Sequence, residues 1–172
     1  ALARKTGLVV AAAADRIHEA SCPGFETALV AAFHTLCERP LGRDPGCRGK
    51  HAVVRTLDAL MWHDEEVFLR GVRLTQPEPS WGPPVDSAGP VRARSLFALV
   101  RLSWRGTPVL LADALVDPLP TVRASAARAV VGWADPMGAA LLRLKLHTGD
   151  EDPVVQCEVL AALAELVRAH RV

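Results

Sequence analysis

The sequence predicts an all-α chain: a right-handed α–α superhelix of about nine helices, in a single repeat domain over residues 1–172. Three observations carry this. Tyr is absent and β-branched residues are few beside Ala, Leu and Arg, a composition that favours helix over sheet. Apolar residues recur at helical spacing, as in Val122, Ala126, Val130 and Trp133, after two prolines that bar helix until Thr121. The unit from Asp117 to Trp133 also has counterparts. Placing Asp44, Asp86 and Asp150 over Asp117 aligns Val91 and Val155 with Val122, Lys50 and Arg92 with Arg123, and Leu57, Leu99 and Leu163 with Val130. The copies start 42, 31 and 33 residues apart, a period of stacked helix pairs that bury their apolar faces only against neighbours.

The elements follow in order. Val9, Val10, Ala13 and Ile17 form the stripe of a first helix over residues 2–20, closed by Ser21-Cys22-Pro23. Pro23 and Glu26 open a second helix with Leu29, Val30, Phe33, Leu36 and Cys37 on one side, ending before Pro40. The first full copy starts at Asp44, with its second helix at about 47–61 and Val53, Leu57 and Leu60 as its stripe. Acids at His63-Asp64-Glu65-Glu66 suit the head of a short helix ending near Leu74. Residues 75–86 form a proline-rich insertion that cannot be regular helix. Later second helices are expected at about 90–104, 121–133 and 153–170. A helix capped by Thr107-Pro108 and another opened by Asp135-Pro136 and stopped at Gly149 lie between them.

The bulk numbers narrow the function. Twenty basic and 19 acidic residues nearly cancel, so no strong field points to nucleic acid, an anionic membrane or acidic substrates. Cysteines 22, 37, 47 and 157 make no Cys-x-x-Cys pair and read as reduced, buried thiols of a cytoplasmic protein. The longest apolar run, Gly7 to Ala14, is too short for a bilayer. Arg4 and Lys5 before it give a leader-like pattern, but Asp15-Arg16-Ile17-His18-Glu19 continues the helix where a cleavage region would stand. Starting at Ala1 without methionine, the chain reads as trimmed or as part of something longer.

The unit resembles a HEAT repeat, in which an aspartate precedes the second helix, with valine five and arginine six positions later. Asp117, Val122 and Arg123 match this, as do Asp86, Val91 and Arg92. Gln156 replaces the arginine after Asp150, and Gly49 and Lys50 follow Asp44. A small residue recurs where inner helices approach, as Thr56, Ala98, Ala129 and Ala162. For the Asp and Arg positions the resemblance implies a structural ladder along the turns, and for the second helices a concave binding face. It leaves function open, because one fold hosts many.

On the side opposite the stripe the second helices carry Arg55, Asp58, Arg94, Arg101, Arg128, Glu158 and Glu165, a face basic in the middle and acidic at the C-terminal end. The expected function is a non-enzymatic scaffold or adaptor, monomeric or weakly homo-oligomeric, binding a protein or peptide through Arg55, Arg94, Arg101, Arg128 and Glu158. Trp81 joins these as a candidate contact, since the insertion either covers adjacent helices or presents Trp81 to a partner. The alternative is a nucleic-acid-binding protein akin to HEAT-like alkylpurine DNA glycosylases. Arg48, Lys50, Arg55, Arg92, Arg94, Arg101 and Arg128 would then track phosphates, with Trp81 or Trp104 stacking on a base. No cofactor or metal is expected. HEAT-like hydroxylases use repeated His-Glu pairs, and this chain has only His18-Glu19. A phosphate-binding glycine loop and a Gly-x-Ser-x-Gly are both missing from the sequence. Trp62, Trp104 and Trp133, at helix ends, read as seals between repeats.

Overall fold

The computed structural model describes residues 6–133 and 135–169. Arg4, Lys5 and His170, together with the outer ends of the first and last expected helices, lie outside them. The fold is all-α, with 73% helix. Among the described residues there are ten α-helices, one more than the expected nine. They are α1 (Thr6–Ala20), α2 (Glu26–Glu38), α3 (Pro40–Arg43), α4 (Arg48–Ala59), α5 (Glu66–Val72), α6 (Gly89–Arg101), α7 (Thr107–Ala114), α8 (Pro120–Trp133), α9 (Pro136–Thr148) and α10 (Pro153–Ala169). The extra one is α3, a single turn that Pro40 starts where the sequence predicted a break. The helices gather into two compact units, Ala1–Ser95 and Leu96–Val172.

In the first unit α4 is the central helix. Gly49, Lys50, Ala52, Val53, Val54, Thr56 and Leu57 are all buried, and α1 and α2 pack on it. α1 and α4 run parallel and in register. A Cβ at Gly49 would stand 3.0 Å from the Cα of Gly7, and Thr56 Oγ1 donates to the Ala14 carbonyl at 3.0 Å. Gly7 to Gly49 and Ala14 to Thr56 are both 42 positions, the interval that separates Asp44 from Asp86. α1 and α4 are therefore related by the same 42-position offset, which the aspartate register did not mark for α1. The stop of α1 agrees. Ser21, Met61 and Ser103 have positive φ of 46°, 59° and 51° just past α1, α4 and α6. In each stop that residue's N–H bonds three residues back and the next N–H bonds five back: Cys22 to Ile17, Trp62 to Leu57 and Trp104 to Leu99. This closes the last helical carbonyls with a left-handed residue, a place usually taken by glycine.

In the second unit α8 is enclosed by α7, α9 and α10. Val122, Ala124, Ser125, Ala126, Ala127, Ala129 and Val130 are buried along it, a small-residue surface that lets helices approach closely. Pro120, Pro136 and Pro153 each begin a helix, where a missing N–H costs nothing. Trp62, Trp104 and Trp133 are half-buried at helix ends. Of the four cysteines, all free thiols, only Cys47 is buried, and Cys157 is exposed, against the expectation of buried thiols. No described helix is long and apolar enough to cross a membrane.

The positions aligned in the sequence are buried alike. Val91, Val122 and Val155 are 0–2% exposed, and Thr56, Ala98, Ala129 and Ala162 are 0–4% exposed. Each such valine contributes about 1.5–3 kcal/mol of burial. Val155→Asp is expected to lower unfolding free energy by at least about 3 kcal/mol in urea titrations, because its carboxylate would be buried without a partner. A variant as stable as the wild type would contradict the register.

Candidate interaction surface

The turns that place the second helices are built on carboxylates. Asp86, Asp117 and Asp150 each accept the N–H two residues ahead, from Ala88, Leu119 and Asp152, at 2.8–3.0 Å. The residue six positions on then reaches back. Arg92 Nη1 donates to Asp86 Oδ2 at 2.6 Å and to the Leu74 carbonyl at 2.8 Å. Arg123 Nη1 donates to the Asp117 carbonyl at 2.8 Å, and Gln156 Nε2 donates to the Asp150 carbonyl. Arg123 also crosses to the next copy, where its Nε and Nη2 each lie 2.7 Å from the Asp150 carboxylate. Lys145 Nζ joins that carboxylate at 2.7 Å. The Arg123 hydrogen bonds, with Lys145 behind them, hold Asp150 far below the usual carboxylate range against the opposing effect of burial.

The Asp44 turn is different. Gly46 (φ 73°) and Cys47 (φ 53°) turn the chain left-handed, so the Asp44 carboxylate swings over the start of α4 and accepts the N–H groups of Gly49 (2.8 Å) and Lys50 (3.0 Å). Lys50 Nζ lies 2.9 Å from Asp44 Oδ2, and both side chains are at most 1% exposed. Burial pushes the neighbouring Cys47 thiol up to about 11. Lys50, which the sequence aligns with Arg123, pairs with the Asp44 of its own turn and is fully buried.

The proline insertion is pinned to this turn. Pro77–Glu78 (β1) and Val85–Asp86 (β2) pair antiparallel, Pro77 opposite Asp86 and Glu78 opposite Val85. An isolated two-stranded ribbon tolerates proline because one edge needs no donor. Buried Gln76 donates from Nε2 to the Asp44 carbonyl (2.9 Å) and to Glu78 Oε1 (2.7 Å). Glu78 Oε1 also accepts the Gly46 N–H at 2.6 Å and the Ser87 hydroxyl at 2.5 Å. Burial alone would raise the Glu78 pKa. The Ser87 hydroxyl, the Gly46 N–H, the Gln76 amide and the charge of Lys50 outweigh it and keep the carboxylate low. The base of the hairpin thus covers the Asp44 turn while its tip does not fold back. Trp81 is fully exposed, at 109% of its reference area. At the tip Ser80 Oγ donates to the Pro83 carbonyl (2.6 Å) and accepts the Gly82 N–H (3.1 Å).

The arginines of the second helices are paired with acids from neighbouring helices. Arg55 meets Asp15 of α1 at 2.7 Å, Arg94 meets Asp58 of α4 at 3.1 Å, and Arg128 meets Glu158 of α10 at 3.2 Å and the Ser125 hydroxyl at 3.1 Å. Arg101 is half-buried. Burial, then the charges of Arg55 and Arg94, lower the pKa of His51 between them. Arg55, Arg94 and Trp81 belong to the first unit, and Arg101, Arg128 and Glu158 to the second. Of the basic middle and acidic end expected from sequence, Arg128 and Glu158 meet directly, while Arg55 and Arg94 take their acids from within the first unit. Of the stripe expected to track phosphates, Lys50 and Arg92 are buried on Asp44 and Asp86, so neither offers a surface charge. Among the described residues no group of three or more His, Cys, Asp or Glu side chains is arranged to hold a metal ion. Compared with protein-family models, with curated proteins and with solved structures, the chain gives no match.

Sequence reasoning missed Gln76, Glu78 and Ser87, which hold the hairpin. A polar residue on each side of a proline was the available signal. Glu78→Ala is expected to free the hairpin base. Hydrogen exchange should then speed up by at least about tenfold at the amides of Gly46, Gln76 and Ser87, while core amides of α8 stay protected. Unchanged exchange at the three amides would show that Glu78 does not hold them.

Proposed function

We propose that this chain is a HEAT-like α-solenoid acting as a non-enzymatic, cytoplasmic scaffold or adaptor. It binds a protein or peptide partner through the polar face of its second helices and the proline hairpin. The observation that carries the proposal is Trp81, held completely in water on a hairpin whose base is fixed by a buried polar network. An exposed indole adds nothing to folding, and a large aromatic presented on a rigid support is an efficient anchor, since little side-chain or loop freedom remains to be lost on binding. Parallel stacking of the second helices supports the solenoid. α1 lies on α4 in one unit and α8 on α10 in the other, each pair crossed by an Arg–acid bridge.

The paired arginines define how a partner engages this face. A mixed-charge peptide can exchange its own carboxylates and cations for the pairs Asp15–Arg55 and Asp58–Arg94 of the first unit, or for Glu158–Arg128 of the second. A polyphosphate backbone would have to displace acids without offering the arginine partners a cation, which disfavours the nucleic-acid reading. In affinity capture followed by titration of the recovered partner, Trp81→Ala is expected to weaken binding at least about tenfold. Charge reversal at Arg94, Arg101 and Arg128 is expected to weaken it further and to change its salt dependence. Unchanged binding in both variants would remove this surface from consideration. A low-salt gel shift with single- or double-stranded DNA is expected to show no complex.

A further inference from the structure

We propose that His51, with Arg55 and Arg94 beside it, forms a carboxylate-binding site on the polar face of α4, and that a carboxylate of the partner binds there together with a proton taken up by His51. This rests on the reading of the second helices as a partner surface and names the chemistry that the first unit's part of it takes. His51, Arg55 and Asp58 follow one another at four and three positions, so they share one face of α4. From α1, Asp15 reaches Arg55 at 2.7 Å, and from α6, Arg94 reaches Asp58 at 3.1 Å. His51 is half-buried, and the charges of both arginines act on it. All five residues belong to one compact unit.

The site keeps donors for a ligand although each arginine already has an acid. A guanidinium presents more N–H groups than one carboxylate can accept. Among the described residues Asp15 is the acid paired with Arg55 and Asp58 the acid paired with Arg94, and the two arginine side chains stay 36% and 37% exposed. Arg55 Nε has no hydrogen-bond partner among the described residues. The field at the imidazole decides which sign of ligand fits. Asp15 from α1, Arg55 on α4 itself and Arg94 from α6 are the charged groups that act on it among the described residues. Burial and the two guanidiniums outweigh Asp15 and lower the His51 pKa below its ordinary value of 6.5. The surroundings of His51 are therefore positive at neutral pH while His51 itself is uncharged. An anion lodged there offsets both guanidiniums at the imidazole, so His51 gains a proton as the anion binds. Asp15 and Asp58 stand at the arginines and oppose a second negative charge, which selects a carboxylate over a phosphate dianion.

Titration of the whole chain with an end-blocked peptide of alternating glutamate and glycine tests this, with the glutamine counterpart and inorganic phosphate as comparison ligands. The His51 imidazole is followed by NMR, and affinity is measured at about pH 7.5 and about pH 5.5, on either side of the ordinary histidine range. The glutamate peptide should raise the His51 titration midpoint and bind at least about threefold tighter at the lower pH, since one unit of midpoint shift is worth about tenfold. The glutamine peptide should leave the midpoint where it is. His51→Gln should abolish the pH dependence, and Arg94→Gln should weaken binding at least about threefold at both pH values. Circular dichroism verifies that each variant is folded. A midpoint unmoved at about 10 mM glutamate peptide would overturn the proposal, since that lies beyond the weak limit of specific contacts. So would a pH dependence that survives in folded His51→Gln, or phosphate binding more tightly than the glutamate peptide. If such a result comes with partner capture that still depends on Trp81 and the arginines, the partner surface stands without this site. A shifted midpoint in a chain that captures no partner leaves the site standing and removes the adaptor reading.

Discussion

The structure depends on one repeated constraint: a carboxylate at the head of a second helix, answered by a donor six residues later. A helix begins with N–H groups that have no partner within the helix, and a turn between two packed helices adds more. Asp86, Asp117 and Asp150 each take up one such N–H, and Arg92, Arg123 and Gln156 return to the turn from the first coils of the helix. The return fixes the direction in which each second helix leaves its turn. Only then do Val91, Val122 and Val155 point into the core at the same depth. Asp150 shows how copies are joined as well, because Arg123 of α8 and Lys145 of α9 meet on its carboxylate. Such buried pairs add modest net stability while they are whole, but losing one partner strands a charge at a cost of about 3–5 kcal/mol.

The Asp44 copy solves the same problem with less space. Gly7 and Gly49 bring α1 and α4 so close that a Cβ at Gly49 would stand 2.8 Å from the Gly7 carbonyl oxygen. At position 50 the shorter reach and compact head of lysine suit the fully buried site beside Asp44. Closing the turn over a buried Lys50 leaves the Gly46 N–H to be satisfied from elsewhere, which Glu78 of the hairpin does, while Gln76 adds a second donor to the Asp44 carbonyl that already accepts the Cys47 N–H. The insertion therefore completes the hydrogen bonding of the turn. A hairpin anchored this way can hold Trp81 in water without any contact from the tip to the helices.

Much of the helical register was readable from sequence because it is local. Period, proline starts and the small residues Thr56, Ala98, Ala129 and Ala162 all lie within single helices, and the structure buries those four residues. The aspartate offsets were readable because the strut spans only six positions. What was hidden is non-local or chemically disguised. The offset between α1 and α4 escaped notice because the position aligned with Asp44 is Leu2, and because the helix stops at Ser21, Met61 and Ser103 lack glycine. The partners of Arg55 and Arg128 lie 40 and 30 residues away on other helices, beyond the reach of any spacing rule. A charged face therefore looked unpaired. The hairpin's strands, two residues each and interrupted by proline, carry no periodic signal, so the outward direction of Trp81 came only from the fold.

The claim that carboxylate struts couple successive copies is tested most directly by a double-mutant cycle on Arg123 and Asp150, using Arg123→Met, Asp150→Asn and the double variant in urea titrations. A bidentate contact between side chains 14% and 3% exposed should give a coupling energy of about 1–3 kcal/mol at neutral pH. Because Asp150 titrates below its unfolded value, that coupling should be complete above about pH 5 and should be lost as pH falls through the depressed folded pKa. A coupling energy indistinguishable from zero at neutral pH, with each single variant folded, would contradict the account.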